Sequence, residues 1–300
     1  MRSHSRLLQC SASNALVAGL GLLLAALVAG CSGRPSALQI TPWRDGINAV
    51  REQSDAAFAA TNLLARDNQL AYAITQPTLK EQLFRPALDG ESIRRWDAAL
   101  DVLSSYAAGV ATLVDPSNAT KSGTIAASLA EQIAMQARST LFQARPGLSS
   151  AIAKVGEALA RAQAQSQAQA ILADADPPVQ ELLAALRETI AQSDAEGTTT
   201  GVIATVSANW GLRLAELQAR YLEPGADRGE IASAYADALA RRDAAISTLV
   251  GVQRSLDSIA LAHAQLARGQ LVDTTTLLAQ IREYAALARD VLKDLQPAPQ

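Results

Sequence analysis

Apolar residues recur every three or four positions through most of this chain, and this spacing limits the possible folds more than any other feature. One clear stretch contains Ile93, Trp96, Leu100, Leu103, Ala107, Val110 and Val114. Such spacing puts the apolar residues on one face of an α-helix. No stretch alternates apolar and polar residues convincingly, as a half-buried strand would. The sequence therefore predicts an all-α protein.

Later stretches repeat the pattern. One has Ile203, Val206, Trp210, Leu214, Leu217 and Tyr221, and another has Leu277, Ile281, Tyr284, Ala288, Val291 and Leu295, with Asp273 placed to cap its start. The longest uninterrupted pattern covers residues 227–268 and predicts one helix of roughly 60 Å, at 1.5 Å per residue. Its apolar stripe contains Ile246, Leu249, Val252, Leu256, Ile259, His263 and Leu266.

Prolines predict where the helices end, because proline lacks a backbone donor and disfavours helix in the residue before it. We expect breaks at Gln76–Pro77, Arg85–Pro86, Asp115–Pro116, Arg145–Pro146, Asp176–Pro177–Pro178 and Pro224–Gly225. The result is a multi-helix bundle of eight or nine helices over residues 43–296, with 297–300 as a disordered tail. Aromatic residues are only 4% of the chain, so few large side chains can line a deep pocket.

The first 30 residues have the composition of an export signal. Residues 1–9 carry Arg2 and Arg6 and no acid, and residues 15–29 are an unbroken apolar run. Small residues follow, as at a signal-peptide cleavage site. The apolar run is short for a membrane-spanning helix, although an uncleaved membrane anchor is an alternative.

The segment Val28–Ala29–Gly30–Cys31 resembles the lipobox of bacterial lipoproteins, with Val in place of the more frequent Leu. The resemblance implies that residues 1–30 are removed and that Cys31 carries the lipid. Lipoproteins of this class have three acyl chains, and two or more hold a protein stably on a membrane. Ser32 replaces the Asp that retains enterobacterial members at the inner membrane. The resemblance thus implies an outer-membrane protein facing the periplasm, with the inner membrane or the cell surface as alternatives, and residues 31–42 as lipidated cysteine and linker.

Composition limits the chemistry. The formal net charge is −3, without the basic excess that nucleic-acid binding needs. Cys10 would leave with the signal and Cys31 would be lipidated, which excludes a disulfide and a Cys–His zinc site. The only histidine beyond the signal is His263. It lies on the apolar stripe, so we expect a packed histidine hydrogen-bonded to a neighbouring helix, with a catalytic or ligand-binding role as the alternative.

Three other features are weaker candidates. The loops 197–201 and 119–124 combine glycine with threonine or serine and could hold an anion, but hydroxyl groups capping the next helix are the simpler interpretation. Asp174 and Asp176 could form a glycosidase pair, but solvated acids beside a Pro-Pro turn are the expected case. We predict no metal, no cofactor and no catalytic residue.

These observations favour a non-catalytic, envelope-tethered lipoprotein that acts as a structural or interaction protein. Its partners would be the membrane, through the acyl chains on Cys31, and another envelope protein. The alternative is a carrier or sensor of an apolar, lipid-like ligand held between helices. An envelope enzyme with an unfamiliar site is the third possibility.

Overall fold

The computed structural model describes residues 37–118, 121–143, 145–162, 168–193, 198–270 and 272–295. The predicted signal peptide, Cys31 and the predicted tail 297–300 lie outside the described residues. Within them the chain forms nine α-helices, which confirms the predicted all-α bundle. They are α1 (Ala37–Ile74), α2 (Gly90–Val114), α3 (Ser122–Ala137), α4 (Thr140–Gln143), α5 (Pro146–Ala162), α6 (Ala168–Ile190), α7 (Val202–Tyr221), α8 (Arg228–Ala267) and α9 (Thr274–Leu295).

Most predicted helix boundaries are confirmed. The long helix predicted over 227–268 is α8, whose first amides, those of Gly229 and Glu230, donate to the Asp227 carboxylate. Asp273 caps α9 as predicted, accepting from the Thr276 amide at 3.1 Å. Two short 3₁₀ helices, Glu81–Phe84 and Pro116–Asn118, lie in the connections on either side of α2.

One predicted break is wrong. Pro177 and Pro178 lie inside α6, which continues unbroken from Ala168 to Ile190. A proline inside a helix costs about 3 kcal/mol, partly through its missing N–H. Burial on both sides of the prolines offsets that cost, because one apolar face runs the length of the helix; it contains Ile171, Leu172, Ala175, Val179, Leu182, Leu183, Leu186 and Ile190.

The predicted linker is also too long. Residues 37–42 already belong to α1, although Pro42 lies among them. Ile40 and Trp43 are almost completely buried, and their burial requires the helix to begin before Pro42. Pro42 is the sixth residue of the helix, so its missing N–H removes one hydrogen bond close to the helix start and leaves the rest of the helix intact.

The loop predictions were partly wrong. Gln192–Ser193 (β1) pairs in antiparallel fashion with Thr199–Thr200 (β2), a two-residue ladder that no sequence alternation indicated. The N-cap residues of α3 and α7 are Lys121 and Gly201, which carry no hydroxyl group and make no side-chain capping hydrogen bond.

Helix α1 organises the bundle, since α2, α7, α8 and α9 all pack against it. Helix α8 runs antiparallel to α1: Trp43 lies beside Ile259 at one end, and Asp67 pairs with Arg241 toward the other. We call the end where α1 begins the near end and the end where α1 stops the far end. Helix α2 has the length and composition of a membrane span, but it packs on α1 and contributes many buried residues to the core.

The core is concentrated at the near end. Twelve residues are buried in the part of α8 from 245 to 267, but only Ile231 and Ala238 in the part from 228 to 244. Beyond the Asp67–Arg241 pair, α1 has seven more residues and α8 has thirteen, or about 10 and 20 Å at 1.5 Å per residue. The far halves of α7 and α8 therefore extend beyond α1 as a helical hairpin.

Candidate functional site

His263 is the centre of a polar network at the near end. Its side chain is fully buried, which confirms that it points into the core. The ring Nε2 lies 3.1 Å from the Tyr106 hydroxyl of α2, and Nδ1 lies 2.8 Å from Asp176 Oδ1 of α6. The expected hydrogen bond to a neighbouring helix is thus present, and there are two of them.

Asp176 reaches His263 because α6 does not break at its prolines. Its carboxylate also accepts a hydrogen bond from the Gln180 side-chain amide at 3.0 Å, and the same amide donates to the Ala260 carbonyl at 2.8 Å. Gln180 therefore connects α6 to α8 beside the histidine. The prediction of a solvated turn acid was wrong for Asp176, whose side chain is 27% exposed and paired.

The protonation states of this network follow from burial and hydrogen bonding. The His263 hydrogen bond holds the pKa of Asp176 below its usual value, so the carboxylate is charged. Burial lowers the pKa of His263, so the imidazole is neutral near pH 7. A neutral ring has one N–H, which donates from Nδ1 to Asp176. Nε2 then accepts from the Tyr106 hydroxyl, and burial raises the pKa of Tyr106 so that this proton is retained.

Trp43 of α1 completes the arrangement. Its ring centroid lies 5.0 Å from that of His263 and 6.0 Å from that of Tyr106, nearly perpendicular to the latter. The indole N–H donates to the Ile259 carbonyl at 3.0 Å. We call Trp43, Tyr106, Asp176 and His263 the four-helix junction, because they come from α1, α2, α6 and α8.

Three of the four junction side chains are closed to reactants, and the fourth, Asp176, is 27% exposed. Trp43, Tyr106 and His263 have no exposed surface, and no junction residue lines the four surface grooves found on the described part of the chain around Gly109, Arg145, Leu63 and Tyr284. A general base must come within hydrogen-bond distance of the proton that it removes from a substrate. The geometry therefore supports structural cross-linking of helices. Sequence reasoning did not pair Tyr106 or Asp176 with His263, because they lie 157 and 87 residues from it along the chain.

The weaker candidates have separate locations. Thr200 and Gly201 line a groove of about 480 Å³ with Arg95 and Arg145. The Arg95 guanidinium already donates a hydrogen bond to the Leu141 carbonyl and forms an ion pair with Glu91. Lys121 precedes α3 and is exposed, and Asp174 is half-buried within α6. Among the described residues, no group of three His, Cys, Asp or Glu side chains could hold a metal ion.

A pair of acids lies between α1 and α2. Asp55 and Asp97 interact through their side chains. Partial burial raises the pKa of each carboxyl, and the charge of Asp55 raises the pKa of Asp97 further. Arg51 donates to the Asp97 carbonyl and forms an ion pair with Asp101. The charge of Arg51 moderates the repulsion between the two acids.

The far end carries a different surface. Four large apolar side chains lie exposed near the end of α1 and in the segment that follows it. We call them the far-end cluster: Leu70, Ile74, Leu79 and Phe84, of which Ile74 is 86% and Leu79 74% exposed. Leu70 and Phe84 line a groove of about 510 Å³ whose other walls are mainly apolar, including Ala59, Leu63 and Pro86.

No protein-family model, curated protein or solved structure matches this chain.

Proposed function

We propose that this protein is a non-catalytic lipoprotein of the bacterial envelope, which binds another envelope protein through its far end. Its lipid anchor is Cys31, and its location is the outer membrane facing the periplasm. The far-end cluster is the observation that carries this proposal. Several large apolar side chains exposed in one region of a surface make that region a candidate interaction site.

The anchor and the cluster lie at opposite ends of α1 in this proposal. Ala37 follows Cys31 by six residues, a reach of roughly 20 Å when extended. The near end therefore stays close to the bilayer. Helix α1 has 38 residues, or about 57 Å at 1.5 Å per residue. The far-end cluster can therefore extend well away from the lipid surface, where it can meet a partner protein.

The four-helix junction supports the non-catalytic part of the proposal. It contains the only described histidine, and the imidazole has no exposed surface. Its two nitrogen atoms are both hydrogen-bonded within the fold. Histidine chemistry would require the core to open, whereas binding through the far end requires no rearrangement.

An apolar ligand is the second candidate, because the groove beside the far-end cluster has a volume in the range of small-molecule sites, about 300–1,000 Å³. Such sites bury most of their ligand, however, and this groove is open along the surface of α1. We therefore rank a protein partner above a lipid-like ligand.

The proposal is tested by isolating the full-length protein from membranes and identifying what co-purifies. Ile74→Arg and Leu79→Arg should each remove a partner protein that wild type retains, because a charge in an apolar contact is costly to desolvate. Met135→Arg is the matched control, since Met135 is also exposed but belongs to α3. Identical partners in all four proteins would contradict the proposal. Loss of a bound lipid in place of a protein would favour the ligand candidate.

The anchor is tested separately with Cys31→Ser. Wild-type cells given a radioactive fatty acid should label the protein, and the variant should remain unlabelled as a precursor or a mislocalised chain. Equal labelling of the two proteins would contradict a lipid on Cys31.

A further inference from the structure

The outer face of α7 is apolar and uncharged although it faces solvent. The opposite face of this helix packs into the bundle through Val202, Val206, Trp210 and Leu217. The outward residues are Ala208, Gly211, Leu212, Ala215, Ala219 and Leu222, all of them exposed. Leu212 is 61% and Leu222 76% exposed. We call these six residues the α7 outer face.

The spacing of this face suits a helical partner. Ala208, Leu212, Ala215, Ala219 and Leu222 follow one another at intervals of four, three, four and three residues, the spacing of a two-helix seam. The charged residues Arg213, Glu216 and Arg220 lie beside the seam and pair with one another. They leave the seam itself free of charge, as the centre of a helix–helix contact requires.

Gly211 is an independent indication of close approach. A glycine inside a helix costs about 0.5–1 kcal/mol relative to alanine. Its φ is not positive, and a Cβ added at this position would meet nothing within 4 Å. Nothing within the described chain therefore requires glycine here. A helix packed against α7 from outside would require a small residue at this position, because small residues let two helix backbones come close together.

We propose that the occupant of the α7 outer face is α7 of a second copy of this chain, in parallel orientation. In a parallel pair, the edge with Glu216 and Glu223 faces the edge with Gly211 and Gln218 of the other copy, so no acid opposes an acid. An antiparallel pair would set the two glutamate edges against each other. Two chains held in one membrane have the parallel orientation already.

The size of the face explains why the membrane is needed. A contact along residues 208–222 is about 22 Å long and 12 Å wide, which buries roughly 500 Å² over the two copies. Stable interfaces bury at least about 1,200 Å². Tethering to one membrane raises the effective concentration of the second copy, so that a contact too small to hold a dimer in solution can still form. The inference thus rests on the proposed lipid anchor.

Disulfide cross-linking of the full-length protein in native membranes tests the pairing. Ala215→Cys, at the middle of the face, should give a species of twice the monomer mass under mild oxidation. Leu261→Cys is the control, because Leu261 is 58% exposed but lies near the other end of α8. No cross-link at 215, an equal yield at 261, or a cross-link to a different protein would each overturn the proposal.

Gly211 variants supply a second readout. In the Ala215→Cys background, Gly211→Leu should lower the dimer yield by about tenfold or more, equivalent to about 1.4 kcal/mol. Gly211→Ala should raise the melting temperature of the monomer in detergent by about 2 °C or more, while lowering the dimer yield in membranes. If Gly211 served only the fold of the monomer, Gly211→Ala would not raise the melting temperature while lowering the dimer yield. Unchanged dimer yields in both variants would overturn the proposal.

The outcomes also separate this inference from the proposed function. A protein that is labelled on Cys31 and captures its partner, but forms no cross-link at 215, contradicts only the second-copy inference. An unlabelled protein contradicts the anchor, and with it the reason for the parallel pair. Ile74→Arg should lose the envelope partner and keep the cross-link, because Ile74 lies outside the α7 outer face.

Discussion

The two parts of α8 show how one helix serves two ends of the molecule. Residues 245–267 bury twelve side chains, among them His263, against the helices of the near end. Residues 228–244 bury only Ile231 and Ala238, within a hairpin that extends beyond α1. Helix propensity does not explain the difference, since alanine, the best helix former, is more frequent in residues 228–244 than in residues 245–267. The difference lies in tertiary packing, which usually supplies most of the stability of a helix in a protein.

The comparison places most of the buried core at the near end, and the proposed function places recognition of a partner at the far end. The near end joins four helices through buried rings and hydrogen bonds. At the far end, large apolar side chains such as Ile74 and Leu222 remain exposed. Residues that are free to bind a partner cannot also be buried in the core, so the two tasks are separated along the axis of α1.

Matched isoleucine substitutions in α8 should show the largest contrast. Ile259→Ala removes a fully packed side chain beside Trp43 and should destabilise by about 2–5 kcal/mol. Ile231→Ala lies in the hairpin, where fewer atoms surround it, and should cost less than about 2 kcal/mol. Urea denaturation of the full-length protein in detergent measures both values. Equal losses would show that the far end is packed as tightly as the near end.

The junction should make the near end sensitive to acid. The pKa of His263 is lowered in the fold from an ordinary value of 6.5, so the unfolded chain binds more protons just below that pH. Stability should therefore fall as the pH drops below about 6.5. Asp176, whose pKa is lowered from 3.8, adds a further loss at lower pH. His263→Leu should weaken the loss between pH 7 and 5, as followed by urea midpoints. The same slope in wild type and variant would contradict the assigned neutral histidine.

His263→Leu also separates packing from function. Leucine buries apolar surface but leaves the Tyr106 hydroxyl without its described partner, and Asp176 keeps only the hydrogen bond from Gln180. An unsatisfied buried group costs about 1–3 kcal/mol. His263→Gln retains some hydrogen bonding and should cost less. Capture of the far-end partner should survive in both variants at a temperature where they are folded. Loss of capture by two folded variants would show a role for His263 beyond packing.

The acid pair should give the smallest effect, with the opposite sign. The pKa values of Asp55 and Asp97 are raised in the fold. The stability that these two carboxyl groups add is therefore fully present below pH 3.8, and it is lost as the pH rises through their pKa values in the folded state. Asp97→Asn should therefore increase stability at pH 7 slightly, by less than about 1 kcal/mol because solvent screens the pair. Ser92→Asn, on the same helix, is the control. A loss of stability at pH 7 in Asp97→Asn would contradict the raised pKa values of the two carboxyl groups.

The sequence predicted the elements better than their partners. Periodicity located the buried faces of α2, α7, α8 and α9, because burial on one side of a helix imposes that pattern. It failed at Pro177 and Pro178, where local propensity is outweighed by the packing of residues such as Leu172 and Leu182. The junction could not be predicted, since pairing Asp176 with His263 depends on which helices become neighbours. The α7 outer face was overlooked because an alanine-rich stripe has little hydrophobic contrast.

Native-state hydrogen exchange along α8 tests the central claim most directly, because one helix samples both ends under the same conditions. We expect the amides of residues 249–266 to exchange at least about 100-fold more slowly than those of residues 232–242, corresponding to about 2.7 kcal/mol between global and local opening. The measurement is made on the full-length protein in detergent, where the second copy is diluted away. Uniform protection along the helix would contradict the division into a stabilising near end and a loosely packed far end.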